Sequence, residues 1–534
     1  MKKKIAILSI GMMPLMALHA QQDTTLVRTV VVENEYNPIV MDASKINVLP
    51  KVEEPAVPKT HIDYATSSRS MARWNYETMQ PMVRDWQADA PRRGYLHAGY
   101  GNRGNVDAGL GYLWDISKKD RLNMEASFNG WNGEREGLND ATWNSRMYQA
   151  KVGADYEHAF KSVDFTLGGD FQSKVYNSLI AAKQHQTLAD VYVGLASSEW
   201  GKPIQFTSEV GWKYFKQKYP IHLHESGEMN LYAQANVWKL RNEEERYGMA
   251  VRFDNYAYTF SEMEDAFALD LNPYYILRND DWSVRLGAHI DWWGGDDSKL
   301  YVAPDVNVSY RLADKYVLFA KAGGGRQTYG LYELSHVSPY WSGNRIVPTY
   351  VTLDAALGLK ASPVNGLWFH VSGGYQIREK DLCLCFFLEE EPPYRVMNDV
   401  MGGTKVFYGT AELKYDYKDL FDISLKGTCY NWKWNDAEDG ELPLSLKPEL
   451  ELDARMGAKV MEGLKAHIGY EYVKRCNEVS GDPVNNLYLG ADYALLKNVN
   501  LFARVNNLLN KEYVGADAYP AQKLNFLAGL SLQF

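Results

Sequence analysis

From about residue 93 to residue 534, apolar and polar positions alternate in runs of about 9–13 residues, with turn residues between the runs. In one run Trp282, Val284, Leu286, Ala288, Ile290 and Trp292 oppose Ser283, Arg285, Gly287, His289 and Asp291. In another, Leu450, Leu452, Ala454, Met456, Ala458 and Val460 oppose Glu451, Asp453, Arg455, Gly457 and Lys459. The run Leu464, Ala466, Ile468, Tyr470 and Tyr472 opposes Lys465, His467, Gly469 and Glu471, and Val499, Leu501, Ala503 and Val505 oppose Asn500, Arg504 and Asn506. The last run places Leu524, Phe526, Ala528, Leu530, Leu532 and Phe534 on one side, with Leu527 the one apolar residue on the other. A period of two is the signature of a strand with one apolar and one polar face.

Run length decides which kind of strand this is. Sandwich strands are usually about five or six residues long, whereas a tilted strand crossing a hydrocarbon layer needs about 9–11. Aromatics recur near the run ends, at Trp282 and Trp292, Tyr470 and Tyr472, and Tyr415 and Tyr417, where an interfacial girdle belongs. Charges of both signs on the polar face suit a water-filled interior, and lipid tolerates no unpaired backbone, so such strands must close on themselves. The expectation is an all-β, transmembrane, antiparallel up-and-down β-barrel spanning 93–534, its apolar stripes against the lipid bilayer. Arg285, His289, Glu451, Asp453, Arg455, Lys465, His467 and Arg504 are then candidate lumen-facing residues.

The runs number about 22, from 93–101 to 523–534, or 20 if a weak hairpin within 315–360 is dropped. Working back from the C-terminus the connections alternate: 509–522, 474–485, 431–447, 378–403 and 324–347 are long, while 496–498, 461–463, 418–420, 361–366 and 312–315 are short. Long outside loops and short periplasmic turns characterise outer-membrane barrels, and the parity puts both termini in the periplasm.

The N-terminal region reads differently. Residues 1–20, MKKKIAILSIGMMPLMALHA, set three lysines before an apolar stretch broken by Pro14, the pattern of a cleaved signal peptide. Residues 21–92 carry Pro38, Pro50, Pro55, Pro58 and Pro81 without helical periodicity; they predict an extended, Pro-punctuated segment, periplasmic or threaded into the lumen. Beyond the leader no apolar run reaches the ~18 residues of a spanning helix. The chain has 37 Tyr, 42 Gly and 15 Trp among 534 residues but only 4 Cys, which excludes a disulfide scaffold. The net charge of −10 becomes −13 once Lys2, Lys3 and Lys4 leave with the leader, which argues against nucleic acid as a partner.

Near the C-terminus, Val505-Asn506-Asn507-Leu508-Leu509-Asn510-Lys511-Glu512-Tyr513 runs from a penultimate strand into an Asn-Leu-rich loop, and a last strand ends on Phe534. This stretch resembles the TonB-dependent receptors of the outer membrane. The resemblance implies a 22-strand barrel, and makes Phe534 a candidate signal for the barrel-assembly machinery. Thr29-Val30-Val31-Val32-Glu33 is similar to that family's TonB box, which an energy-transducing partner grips by strand addition. The family also carries a plug domain of well over a hundred residues. Here about 70 residues stand before the barrel and do not read as a folded domain. A barrel this wide is not filled by its own side chains. The 33–92 segment, the loops 324–347 and 378–403, or a surface or periplasmic accessory protein must therefore occlude it.

Other candidate chemistry is sparse. His222, His224, Glu225 and Glu228 lack a third ligand fixed by spacing, and Asp296 and Asp297 read as solvated loop acids, so no metal and no cofactor is expected. Cys383 and Cys385 are spaced poorly for a bridge; Cys429 and Cys476 lie near loop bases where a disulfide is one option. No nucleophile–base set or phosphate loop stands out, and the chain is not expected to be an enzyme. Tyr329, Tyr332, Tyr340, Trp341, Trp432 and Trp434 put aromatic rings in the outer loops. The function this implies is solute uptake across the cell outer membrane. The alternatives are a plugless structural or accessory barrel, or a diffusion porin.

Overall fold

A computed structural model describes residues 92–534 apart from short stretches at 137–141, 178–182, 199–201, 219–225, 260–263, 296–297, 314, 329, 340, 343–347, 386–395, 401, 419, 435–446, 477–481 and 516–519. The 1–20 leader, the 21–91 segment and the TonB-box candidate Thr29–Glu33 lie outside the described residues, as do His222, His224, Glu225, Asp296 and Asp297.

Twenty-two strands form one antiparallel sheet, each paired with its sequence neighbour, and Gly94–Gly101 pairs with Asn525–Gln533 to close the ring. The register of closure runs from Tyr95 opposite Gln533 to Gly101 opposite Leu527. Closure leaves no strand edge, the condition for backbone to sit in lipid. The hairpin in the 315–360 region is present, as Tyr316–Gln327 against Thr349–Ala361. At one end no connection exceeds the six residues between Ser197 and Ile204, whereas the other end carries 328–348, 380–403, 435–447 and 507–524. The chain enters and leaves the sheet at the short-turn end, through Gly94 and Gln533.

The two faces separate as burial requires. Leu286, Trp292, Leu452, Met456, Ile468, Phe526 and Leu530 are exposed, and a contiguous apolar band is what a bilayer covers. On the opposite face a recurring joint fixes neighbouring strands. Tyr192 lies over Gly168, one strand away, and its hydroxyl donates to Asp155, two strands away. Tyr232 crosses Gly211 to Asp190 at 2.8 Å, Tyr274 crosses Gly248 to Asn236 at 2.8 Å, and Tyr408 crosses Gly374 to Asp354 at 2.7 Å. A Cβ at Gly211 would stand 2.3 Å from the Tyr232 hydroxyl; only glycine lets the ring lie flat, and the bonded hydroxyl keeps it there.

Three features depart from the sequence reading. Strands expected at 121–129 and 146–158 extend to Asp120–Glu136 and Thr142–Ala159. The added residues, such as Gly130–Glu136, have no apolar stripe, so alternation cannot reveal them. They pair through backbone, aided by Trp131 Nε1 donating to Ser145 Oγ at 3.3 Å. Second, the connections expected at 324–347 and 378–403 contain structure of their own. Leu331–Val337 is a short helix, and Leu382–Cys385 pairs with Val396–Val400, against which Trp341–Ser342 lies parallel. Third, Cys429 and Cys476 are both free and exposed, so no disulfide joins them.

Candidate transport lumen

The inner wall is polar and densely bonded. Its most buried group of charges gathers at the root of the 328–348 connection. The guanidinium of Arg326 lies 3.4 Å from Asp291 and 3.9 Å from Asp254, and donates to Thr328 Oγ1 at 2.6 Å. Asp254 in turn accepts from Arg252 at 2.9 Å. Buried charges survive only when paired in this way. Beside them, His289 Nδ1 meets Asp270 at 3.1 Å, and its Nε2 faces Asn272 at 3.2 Å. Arg285 bonds Asp305 at 2.7 Å and Asn272 at 2.9 Å while stacking on Tyr274.

From this root the connection folds inward. Gly330 precedes the helix Leu331–Val337, whose Leu331 and Leu334, three apart, are both buried. The carboxyl of Glu228 accepts from the backbone N–H of Leu331 at 2.5 Å and of Tyr332 at 3.5 Å, satisfying donors that a helix start leaves open. Lys213 pairs with Glu333 at 2.9 Å and sits over the Tyr332 ring. Further on, Lys174 Nζ donates to the carbonyl of Ser335 at 2.7 Å, and the Tyr176 hydroxyl donates to that of Pro339 at 2.5 Å. The connection thus leaves the wall at Gln327 and is clasped by strands Val163–Tyr176, Gln184–Ser197, Ile204–Lys218 and Ser226–Leu240, well round the ring.

At the long-loop rim, Asp381 is buried beside Lys447 at 2.9 Å, Arg378 at 3.2 Å and Thr404 Oγ1 at 2.8 Å. Burial alone would raise its pKa, but the Lys447 ammonium and the Arg378 guanidinium overcome it and hold the carboxyl down at about 2.

The remaining candidates scatter. Glu451 accepts from Tyr430 at 2.8 Å, His467 lies over Gly490, and Arg504 stacks on Phe502 with Asp107 at 4.0 Å. Lys465 and Asp453 are exposed, and Arg455 is half-buried. Arg285 and His289 join one network, through Asn272. The Phe534 carbonyl accepts from Arg93 N at 2.8 Å and Gly94 N at 2.7 Å, and its ring stacks on Tyr112, at the seam that closes the sheet. Glu228, considered with His222 and His224 for a metal, is instead engaged with the helix start. Among the described residues no group of three or more His, Cys, Asp or Glu is placed to hold a metal ion. Lys174, Lys213 and Arg326 were not singled out from sequence; each sits on an alternating strand, but their partners lie more than a hundred residues away or across neighbouring hairpins.

No protein-family model matches the chain. Solved structures do. The copper transporter OprC superposes with a TM-score of 0.64 at 12% identity, covering 83% of this chain and 80% of that one. The FrpB iron transporter from Neisseria meningitidis gives 0.66 at 10% identity, over 84% and 82%. A mutant of the ferric enterobactin receptor PfeA from Pseudomonas aeruginosa gives 0.64 at 11% identity, over 84% and 81%. The barrel has the fold of the TonB-dependent receptors. At such identities the likeness concerns the fold alone: a TonB-dependent-receptor-like outer-membrane barrel, in which the chemistry must be argued from this chain's own residues.

Proposed function

We propose that this chain is an outer-membrane transport receptor that takes up a solute, without catalysing a reaction. The observation that carries the reading is the closed 22-strand wall, apolar outside and charged within, a fold shared with proteins described as copper and iron transporters. In this reading both termini are periplasmic, the chain enters export through residues 1–20, and Phe534 is read by the barrel-assembly machinery. Residues Thr29, Val30, Val31, Val32 and Glu33 add as a strand to a TonB-type energy transducer. Arg285, His289, Glu451, Asp453, Arg455, Lys465, His467 and Arg504 line the water-filled path.

One observation favours a second reading, in which the barrel is an accessory or structural subunit: the 328–348 connection is fastened inside by Glu228, Lys213 and Lys174. Deleting residues 21–45 separates the two. The barrel should still assemble, and energised uptake should be lost. Unchanged uptake of every solute tested would remove the TonB-box reading and, with it, energised transport.

A further inference from the structure

Beneath the inward helix lies a patch whose hydrogen-bonding capacity is not used up. Lys174, Gln186 and Gln217 are register partners on three adjacent strands, with Tyr176 opposite Gln184 in the row towards the long loops and Gln172 opposite Leu188 in the row beneath. Neighbouring strands stand about 4.8 Å apart, so these side chains form one contiguous platform. All six polar members are buried: Gln172, Lys174 and Gln217 are at most 4% exposed, and Tyr176, Gln184 and Gln186 at most 1%.

Burying an ammonium is costly unless an anion accompanies it. Among the described residues Lys174 has no carboxylate partner; its contact is the neutral carbonyl of Ser335 at 2.7 Å. Three amide atoms around it, Gln172 Nε2, Gln184 Oε1 and Gln186 Oε1, have no hydrogen-bond partner among the described residues. An unsatisfied buried amide atom carries its full desolvation cost. The carbonyl of Pro339, also neutral, accepts from Tyr176 at 2.5 Å and Gln186 Nε2 at 3.2 Å, and the Tyr176 hydroxyl accepts from Gln186 Nε2 at 3.1 Å and Gln217 Nε2 at 3.2 Å. A cation, one open donor and two open acceptors thus lie under a cover that satisfies them only in part.

We infer that Lys174, Gln172, Gln184 and Gln186 form a binding station for a carboxylate-bearing, hydroxyl-rich solute, with the segment Leu331–Pro339 as its replaceable cover. The carboxylate pairs with the Lys174 ammonium and accepts from Gln172 Nε2. Hydroxyls of the same molecule donate to Gln184 Oε1 and Gln186 Oε1. A neutral sugar leaves the lysine unpaired, and a bare anion such as acetate leaves the amide oxygens unmet, so the station requires both features together. No bond is made or broken. The assignment names the solute class of the transport reading and rests on it.

The test uses the full-length chain with Leu331–Pro339 replaced by a Gly-Ser linker of equal length, folded in detergent as judged by its heat-modifiable migration. Calorimetric titration with D-glucuronate should show binding at least tenfold tighter than to the intact chain and at least tenfold tighter than D-glucose. Lys174→Met in the same background should remove that preference. If the replacement does not fold, Glu228→Leu with Glu333→Leu loosens the cover by point changes and should raise glucuronate affinity in the same direction. Equal heats for glucuronate and glucose, or a preference that survives Lys174→Met, would overturn the assignment. The titration needs no energised membrane, so its failure is distinguishable from failure of the transport reading, which the 21–45 deletion tests by uptake.

Discussion

The wall from Val163 to Tyr258 and the wall from Pro448 to Asn506 are built from the same alternation, yet their inner stripes end up in opposite states. In the first, Gln172, Lys174, Gln186, Glu228, Asn230 and Asp254 are buried, and the connection that carries the 331–337 helix bonds to Lys174, Gln186 and Glu228 among them. In the second, Asp453 and Lys465 stay exposed and Glu451, Arg455 and Arg504 are half-exposed, and neighbours such as Tyr430 of Glu451 and Phe502 of Arg504 belong to the wall itself. A polar stripe facing a lumen is therefore not by itself a site. The covering segment converts one arc of it into a buried surface and leaves the other more exposed, where charges are screened and individually worth little.

That contrast can be broken at four points. The largest effect belongs to neither inner arc. Ala466→Arg puts a guanidinium into the outer apolar band of the more exposed wall and should cost roughly 2–4 kcal/mol near the midplane, read as the denaturant midpoint of the protein in lipid vesicles. A null result would mean that the stripe does not meet lipid. Next comes the rim. Asp381 has a folded pKa of about 2, below the ~3.9 of an unperturbed aspartate. The stabilisation linked to its ionised form is fully present above about pH 4 and lost as pH falls towards 2. It amounts to about 2–3 kcal/mol. The melting-temperature difference between the wild type and Asp381→Asn should be present at pH 6 and disappear by pH 2; a constant difference would refute the coupling to Lys447 and Arg378.

Glu228→Leu tests the covered arc directly. Losing the acceptor for Leu331 and Tyr332 should cost about 1–3 kcal/mol, expressed as faster hydrogen exchange across 331–337 while the strands stay protected. Uniform exchange throughout the barrel would show that the helix is not an independently released cover. The smallest effect is expected on the more exposed wall: Lys465→Ala should change stability by less than about 0.5 kcal/mol, against the large loss from its neighbour Ala466→Arg. Comparable losses would mean that the two faces have been assigned the wrong way round.

The alternation of residues such as Trp282–Trp292 and Leu450–Val460 made the strand number, the antiparallel order and the rhythm of long and short connections legible, because a hydrocarbon layer on one side and water on the other impose a period of two over runs long enough to cross it. The Gly130–Glu136 extension was not legible, because strands beyond the membrane need only backbone partners. Nor were the contacts of Lys174 with Ser335, Glu228 with Leu331 or Arg326 with Asp254, which join residues far apart in sequence and leave no periodic trace. Even the joints in which a tyrosine crosses a glycine to an Asp or Asn, whose glycines stand in plain view at positions 168, 211, 248 and 374, depend on register between strands before any tyrosine can be matched to its glycine.

What the amino-acid order determined alone is the wall: which positions meet lipid, which meet water, and where the chain turns. Tertiary structure decided the interior, since which arc is covered depends on how one connection crosses the ring to reach Lys213 and Lys174. That choice is made by hydrogen bonds and ion pairs between distant segments, which have directions and partners but no period along the chain.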